Sequence, residues 1–166
     1  MVVLGIDPGL ATTGFGILKS CGNKLEVMDY GVIKTDAKEK LPVRLKKISE
    51  NLIELISKYK PDMLAHEKIF FCKNVKTAML VGQAIGVITL VCANAGLDII
   101  EYTPLQVKQA ISGYGFADKN QMGKMVQIVL KLKDIPKPDD AADALAVAFT
   151  HIGLNKYNDM ISAQNK

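Results

Sequence analysis

The chain begins with an unbroken apolar run, MVVLGI, that stops on a carboxylate, Asp7, followed at once by Pro8 and Gly9. A short run without polar side chains, bounded by a turn signal, reads as a buried strand. Two β-rich stretches follow, TTGFGILK and KLEVMDYGVIKT, separated by the turn-like CGNK. Beyond DAKEKLP the period changes. Leu41, Leu45, Ile48, Leu52, Leu55, Ile56 and Tyr59 recur at steps of three and four, the stripe of an amphipathic helix that Pro61 ends. DMLAHEKIF is again strand-like and leads through a loop into a long helix from about Asn74 to Ala95, after which LDIIEY predicts a fifth strand. TPLQVKQAI reads as a short helix with Thr103 as N-cap and Pro104 at its first position. The glycine-rich GYGFADKN precedes another helix, and KLKDIPKPDD punctuates before a last one, DDAADALAVAFTH.

Three successive strands, then strands alternating with helices, predict an α/β fold: a five-stranded mixed sheet with helices on both faces. A chain of 166 residues supports one domain with an adequate core, not two. Repeats, low-complexity tracts and linkers are absent from the sequence. The domain is expected over residues 1–152, with 153–166 as a polar, frayed tail assigned no role.

The long helix calls for a membrane check. Ala78 to Leu97 carries no charge, and Gly82 and Gly86 form a G-x-x-x-G. Gln83, Thr89, Asn94 and several small residues keep the segment only moderately apolar, and strand-like segments lie on both sides. The expectation is a helix of a soluble protein, buried on one face by the sheet and on the other by a partner. The apolar start is too short for a signal peptide and has no basic residues before it. Cys21, Cys72 and Cys92 are an odd, widely spaced set, which argues against a disulfide framework and a thiolate zinc site and for a reducing cytoplasm. With only His66 and His151, a histidine-rich metal site is excluded as well.

Basic residues number 21 against 17 acidic ones, and the net charge of +4 hints only weakly at nucleic acid. Arg44 is the only arginine; all the other basic residues are lysines. Lysines are point charges that suit phosphates, whereas bidentate reading of guanine uses arginine. A nucleic-acid partner would therefore be recognised by backbone and shape more than by bases.

The candidate chemistry lies in carboxylates at the ends of apolar segments. Pro8 biases Asp7 toward an extended conformation, so Asp7 belongs to its strand, on the face of Val3 and Gly5. The competing reading is a turn residue of the Asx type. Glu67 ends MLAHE in the same way, on the face of Met63 and Ala65, while His66 points to the other side as a packed side chain. In PDDAADALA, Asp143 shares a helix face with either Asp139 or Asp140. A helix-start capping role would explain these acids too. Alanines 141, 142, 144, 146 and 148 imply close packing on the sheet, which would hold the acids over the strand ends. Carboxylates converging without counter-charge repel and raise one another's pKa. Two Mg²⁺ ions would cancel that charge, and a pair about 4 Å apart serves phosphodiester cleavage. Oxygen-only ligation favours magnesium or manganese over zinc. Phosphate-loop, nucleophile-elbow and dinucleotide-binding signatures are all missing.

GIDPG with its following T-G-x-G, AHEKIFFCKN, GQAIGV, EYTPLQVKQ and DDAADALAVAFTH occur in an order that resembles the RuvC-type Holliday junction resolvases of bacteria, from Met1 to about His151. The resemblance implies an RNase H-like fold, a homodimer, and a divalent-metal endonuclease, with Mg²⁺ or Mn²⁺, that nicks two opposing strands of a four-way DNA junction. Carried over residue by residue, the catalytic and metal-binding acids are Asp7, Glu67, Asp140 and Asp143, with Asp139 as a neighbour. It also implies that Phe70 presses on unpaired bases beside Lys73, and that Lys108 and Lys119 lie near the scissile phosphate. A partnership with the RuvA–RuvB branch-migration machinery is implied as well. Ile85 stands where the family commonly has arginine in G-Q-A-R-G, so polar contacts on the long helix must differ. An actin- or Hsp70-like ATPase would need a second phosphate-loop domain for which the chain has no room. A generic RNase H is disfavoured by the apolar long helix and the Phe70 loop.

Overall fold

The computed structural model describes residues 1–22, 24–68, 75–113, 115 and 118–164. Its elements, in chain order, are β1 (Val2–Asp7), β2 (Thr12–Cys21), β3 (Lys24–Lys34), α1 (Leu41–Tyr59), β4 (Met63–Glu67), α2 (Val75–Asn94), β5 (Asp98–Tyr102), α3 (Pro104–Ser112), α4 (Lys119–Val129) and α5 (Asp139–Gln164). The strands form one sheet in the order β3-β2-β1-β4-β5. The β3–β2 and β2–β1 pairs are antiparallel, while β4 is parallel to both β1 and β5. The predicted mixed sheet is the one observed, and β1 is the seam between its two halves.

Alternation along β1 divides the core. Leu4 and Ile6 join Leu64 of β4 and meet Ile48 and Leu52 of α1 and Ala84, Ile88 and Cys92 of α2. Val3 and Ala65 face the other way, onto Val107 and Ile111 of α3, Met122 and Val126 of α4 and the alanine-rich stretch of α5. The period-2 pattern of the strands thus assigns each side chain to one of two helical layers.

The helix boundaries follow local chemistry. α1 stops at Lys60, which takes a left-handed conformation (φ 48°) and donates its N–H to the Ile56 carbonyl at 2.9 Å. Thr103 caps α3 as expected. Its Oγ1 accepts from the Gln106 N–H at 3.2 Å while Gln106 Oε1 accepts from the Thr103 N–H at 2.8 Å. α4 opens on a second reciprocal cap, Asp118 with Gln121 (2.8 and 3.1 Å).

The segment expected as a frayed tail is different. α5 continues through Gln164, because nothing in GLNKYNDMISAQ breaks a helix. Polarity by itself did not end the helix.

α2 buries only one stripe, Ala84, Ile88 and Cys92. Val75, Met79 and Leu90 are 70%, 63% and 61% exposed, so most of an apolar helix faces outward. Thr77–Asn94 has a mean hydropathy of 1.7 and is, among the described residues, the one stretch long and apolar enough to cross a membrane. Its buried stripe nevertheless packs on the sheet and on α1.

Candidate active site

β1 and β4 are adjacent parallel strands with Ile6 opposite His66, so Asp7 and Glu67 leave the sheet side by side at the same end. Their alternation places both on the α5 side. Pairing continues one residue past Glu67, where the Lys68 N–H donates to the Tyr102 carbonyl at 2.8 Å. After Asp7 the chain turns tightly. The Thr13 hydroxyl donates to the Gly9 carbonyl at 2.6 Å. Among the described residues the Asp7 carboxylate accepts no hydrogen bond, and the turn-residue reading of this carboxylate falls with that.

The other two acids come from the first turns of α5, and glycines determine how near that helix comes. Gly14 pairs with Asp7 across β1 and β2, and any Cβ at Gly14 would land on the main-chain carbonyl of Asp140. Gly5 pairs with Gly16. A Cβ on Gly5 would collide with the Ala144 carbonyl, and one on Gly16 would sit 2.9 Å from Leu145 Cα. Backbone therefore lies on backbone, and Asp140 and Asp143 are carried over the ends of β1 and β4. Neither acid caps the helix by a hydrogen bond to a backbone amide among the described residues. Asp139 is exposed at the helix start and does not figure among the charges acting on Asp7.

The carboxylates act on one another. Asp7 is raised from 3.8 to about 7, first by burial, then by Asp143, Glu67 and Asp140, with Lys119 opposing. Glu67 is pushed up by burial and by Asp143, against the pull of Lys108 and Lys119. Asp143 is pushed up by burial and by Asp139 and Asp140, with Lys119 and Lys108 again opposing. Lys108 on α3 and Lys119 at the start of α4 thus belong to the same electrostatic unit, each reaching it from a capped helix. His66 is buried on the far side, with Nδ1 3.1 Å from the Glu67 carbonyl and Nε2 3.5 Å from Glu101. It takes no part in the acid cluster. Phe70, Phe71 and Lys73 lie outside the described residues.

These donors suit a hard cation. They are carboxylate oxygens only, their charge is offset only in part by Lys108 and Lys119, and burial makes the remainder costly unless something positive neutralises it. Among the described residues, no three such side chains are drawn close enough together, as they stand, to hold one ion.

Close-packing glycines and the Asp118 cap were not singled out as site-building features in the sequence. Their signals were there: Gly14 and Gly16 alternate on one strand face, and Asp118 precedes Gln121 by a capping-box interval.

A mixed five-stranded sheet with acids on two adjacent parallel strand ends, and more acids on the helix laid across them, defines the RNase H-like nucleases. Comparison with known proteins narrows the class. The family profile described as "Crossover junction endodeoxyribonuclease RuvC" matches residues 3–151, and the chain belongs to that family. It is 56% identical over 164 residues to the RuvC of Alkaliphilus metalliredigens, covering 99% of this chain and 100% of that one. To the RuvC of Halothermothrix orenii it is 55% identical over 151 residues, 91% of this chain and 92% of the relative. Among solved structures, Thermus thermophilus RuvC in complex with Holliday junction substrate superposes with a TM-score of 0.86 at 34% identity, over 95% of this chain and 96% of that one. The yeast mitochondrial Holliday junction resolvase Ydc2 shares the fold, with a TM-score of 0.69 at 16% identity over 97% of this chain and 83% of that one.

Proposed function

We propose that this protein resolves four-way (Holliday) DNA junctions by paired symmetric nicks, leaving 5′-phosphate and 3′-hydroxyl ends, in recombination and repair. The observation that carries the reading is the cluster of mutually repelling, half-buried acids at the ends of β1 and β4, rimmed by two lysines.

In this reading Asp7, Glu67, Asp140 and Asp143 hold Mg²⁺, or Mn²⁺ in its place, as a pair of ions. Ions held by these acids would supply activation of a water and neutralisation of charge on the phosphodiester. Asp7 and Glu67 are carried by their strands, and Asp140 and Asp143 by α5, so the backbone is in place and the carboxylate side chains would have to close on an ion. Lys108 and Lys119 attract the phosphate and limit how far the acids take up protons. Phe70 would wedge against unpaired bases at the branch point, with Lys73 on a neighbouring phosphate.

The exposed apolar face of α2 is where a second copy would pair, giving a two-fold dimer for a two-fold substrate. Ile85 in this helix keeps such a contact apolar. In this reading the protein acts on chromosomal DNA in the cytoplasm, in partnership with RuvA–RuvB branch-migration proteins.

The test is a comparison of substrates. With Mg²⁺ the purified chain should convert a synthetic four-way junction into nicked duplexes. Equal cutting of linear duplex, or preference for an RNA–DNA hybrid, would refute the reading. Sedimentation should show a dimer at micromolar concentration, and a strict monomer would contradict paired cutting.

A further inference from the structure

A cleft of about 360 Å³ opens beside the acid cluster, between the turn after β1 and the first turns of α1 and α2. Its walls include Gly9, Leu10, Leu80, Asp140 and Arg44, the only arginine in the chain. Arg44 is half-buried, and its aim is determined by a relay. The Arg44 Nε–H donates to Thr35 Oγ1 at 2.8 Å, and the Thr35 hydroxyl donates to the Leu10 carbonyl at 2.6 Å. The Thr35 N–H donates to the Ala11 carbonyl at 3.0 Å, so the same residue also ties down the turn that follows Asp7. The hydroxyl's one proton is committed to Leu10, which leaves its lone pairs for Arg44.

With Nε engaged, the two terminal amino groups remain. Among the described residues they have no acceptor, and Arg44 forms no ion pair although Asp140 lines the same cleft. A guanidinium oriented through Nε, with its outer fork left over, matches the bidentate geometry of a phosphate. We infer that Arg44 is a DNA-binding residue that grips the backbone phosphate adjoining the scissile one, on the Asp140 side of the site. This rests on the nuclease reading above and adds a second anchoring point to it. The lysines attract the reacting phosphate as point charges, while Arg44 fixes the direction in which the strand leaves.

Arg44→Ala, made in a non-cutting Asp7→Asn background, tests the contact. The plot of log affinity for a four-way junction against log salt should become shallower by about 0.9 for each protomer, as expected when one phosphate contact is lost. Junctions carrying single neutral methylphosphonate linkages around the cleavage site should bind the Arg44 protein about 10-fold more weakly at one neighbouring linkage. The Arg44→Ala protein should be indifferent to that linkage. Arg44→Lys should keep the salt slope and lose affinity.

An unchanged slope and methylphosphonate profile, with lowered thermal stability alone, would overturn the inference and leave Arg44 as a tether between β3 and α1. If Arg44→Ala does not fold, Arg44→Lys and the linkage scan on the Arg44 protein decide the matter. The two readings fail separately. Failure of the cutting-competent chain to cleave junctions, with the slope change intact, refutes the activity and keeps the phosphate contact. Intact cutting with an unchanged slope refutes the contact and keeps the activity.

Discussion

Replacing Asp7 by asparagine should stabilise the metal-free protein while abolishing its cutting. In the folded chain the Asp7 carboxyl is raised from its ordinary 3.8 to about 7, because burial withholds water and Asp143, Glu67 and Asp140 repel its charge. Between those pH values the folded state keeps a proton that the unfolded chain has released. The stability this contributes is fully present below pH 3.8 and is lost as pH rises through about 7. At about 1.4 kcal/mol per pH unit, the penalty by pH 8 is about 4 kcal/mol, a sizeable part of a domain's total stability.

Asparagine has nearly the same shape and never ionises. Asp7→Asn should therefore raise the unfolding free energy in EDTA by about 4 kcal/mol at pH 8, and by only about 2 kcal/mol at pH 5. Urea denaturation at the two pH values measures this directly. Added Mg²⁺ should narrow the gap, since it stabilises the parent chain by mass action and the variant less. The reasoning is refuted if the gain is absent, or if it is equal at pH 5 and pH 8. In either case Asp7 would not be carrying the buried, repelled charge described.

Three further outcomes are expected. Lys119 lowers the pKa of Asp7, Glu67 and Asp143, so Lys119→Ala should move the acidic limb of the pH–rate profile upward and slow single-turnover cleavage by about 100-fold. A limb left in place would contradict that. Gly14→Ala should cost about 3 kcal/mol in urea denaturation and impair cleavage, because its methyl would fall on the Asp140 carbonyl. Gly153→Ala, with open space around it in α5, should instead stabilise by about 1 kcal/mol.

Much of this was legible in the sequence for identifiable reasons. The two-residue period of VVLGID and MLAHE assigned Asp7 and Glu67 to one face, and the sheet's two cores follow that same division. The Thr103–Pro104 start of α3 carried its own capping chemistry. Spacing alone could not choose between Asp139 and Asp140, since both lie within a helical turn of Asp143. The difference depends on which side of α5 meets Gly14, a tertiary contact. The Arg44–Thr35–Leu10 relay was illegible for the same reason. Its members are far apart in sequence and meet only when β2, β3 and α1 are assembled.

The glycines beneath α5 have a consequence for motion. Where helix backbone rests on strand backbone there is no side-chain layer to loosen, and water has no route under the first turns of α5. The amides of β1 and of the middle of β2 should thus be among the last to exchange with solvent, opening only when the whole domain does. Asp7, Glu67, Asp140 and Asp143 are borne by that slow-opening centre, whereas Lys119 sits on an exposed helix start. Under the proposed function, a bending DNA strand would therefore displace Lys119 without disturbing the spacing of the acids.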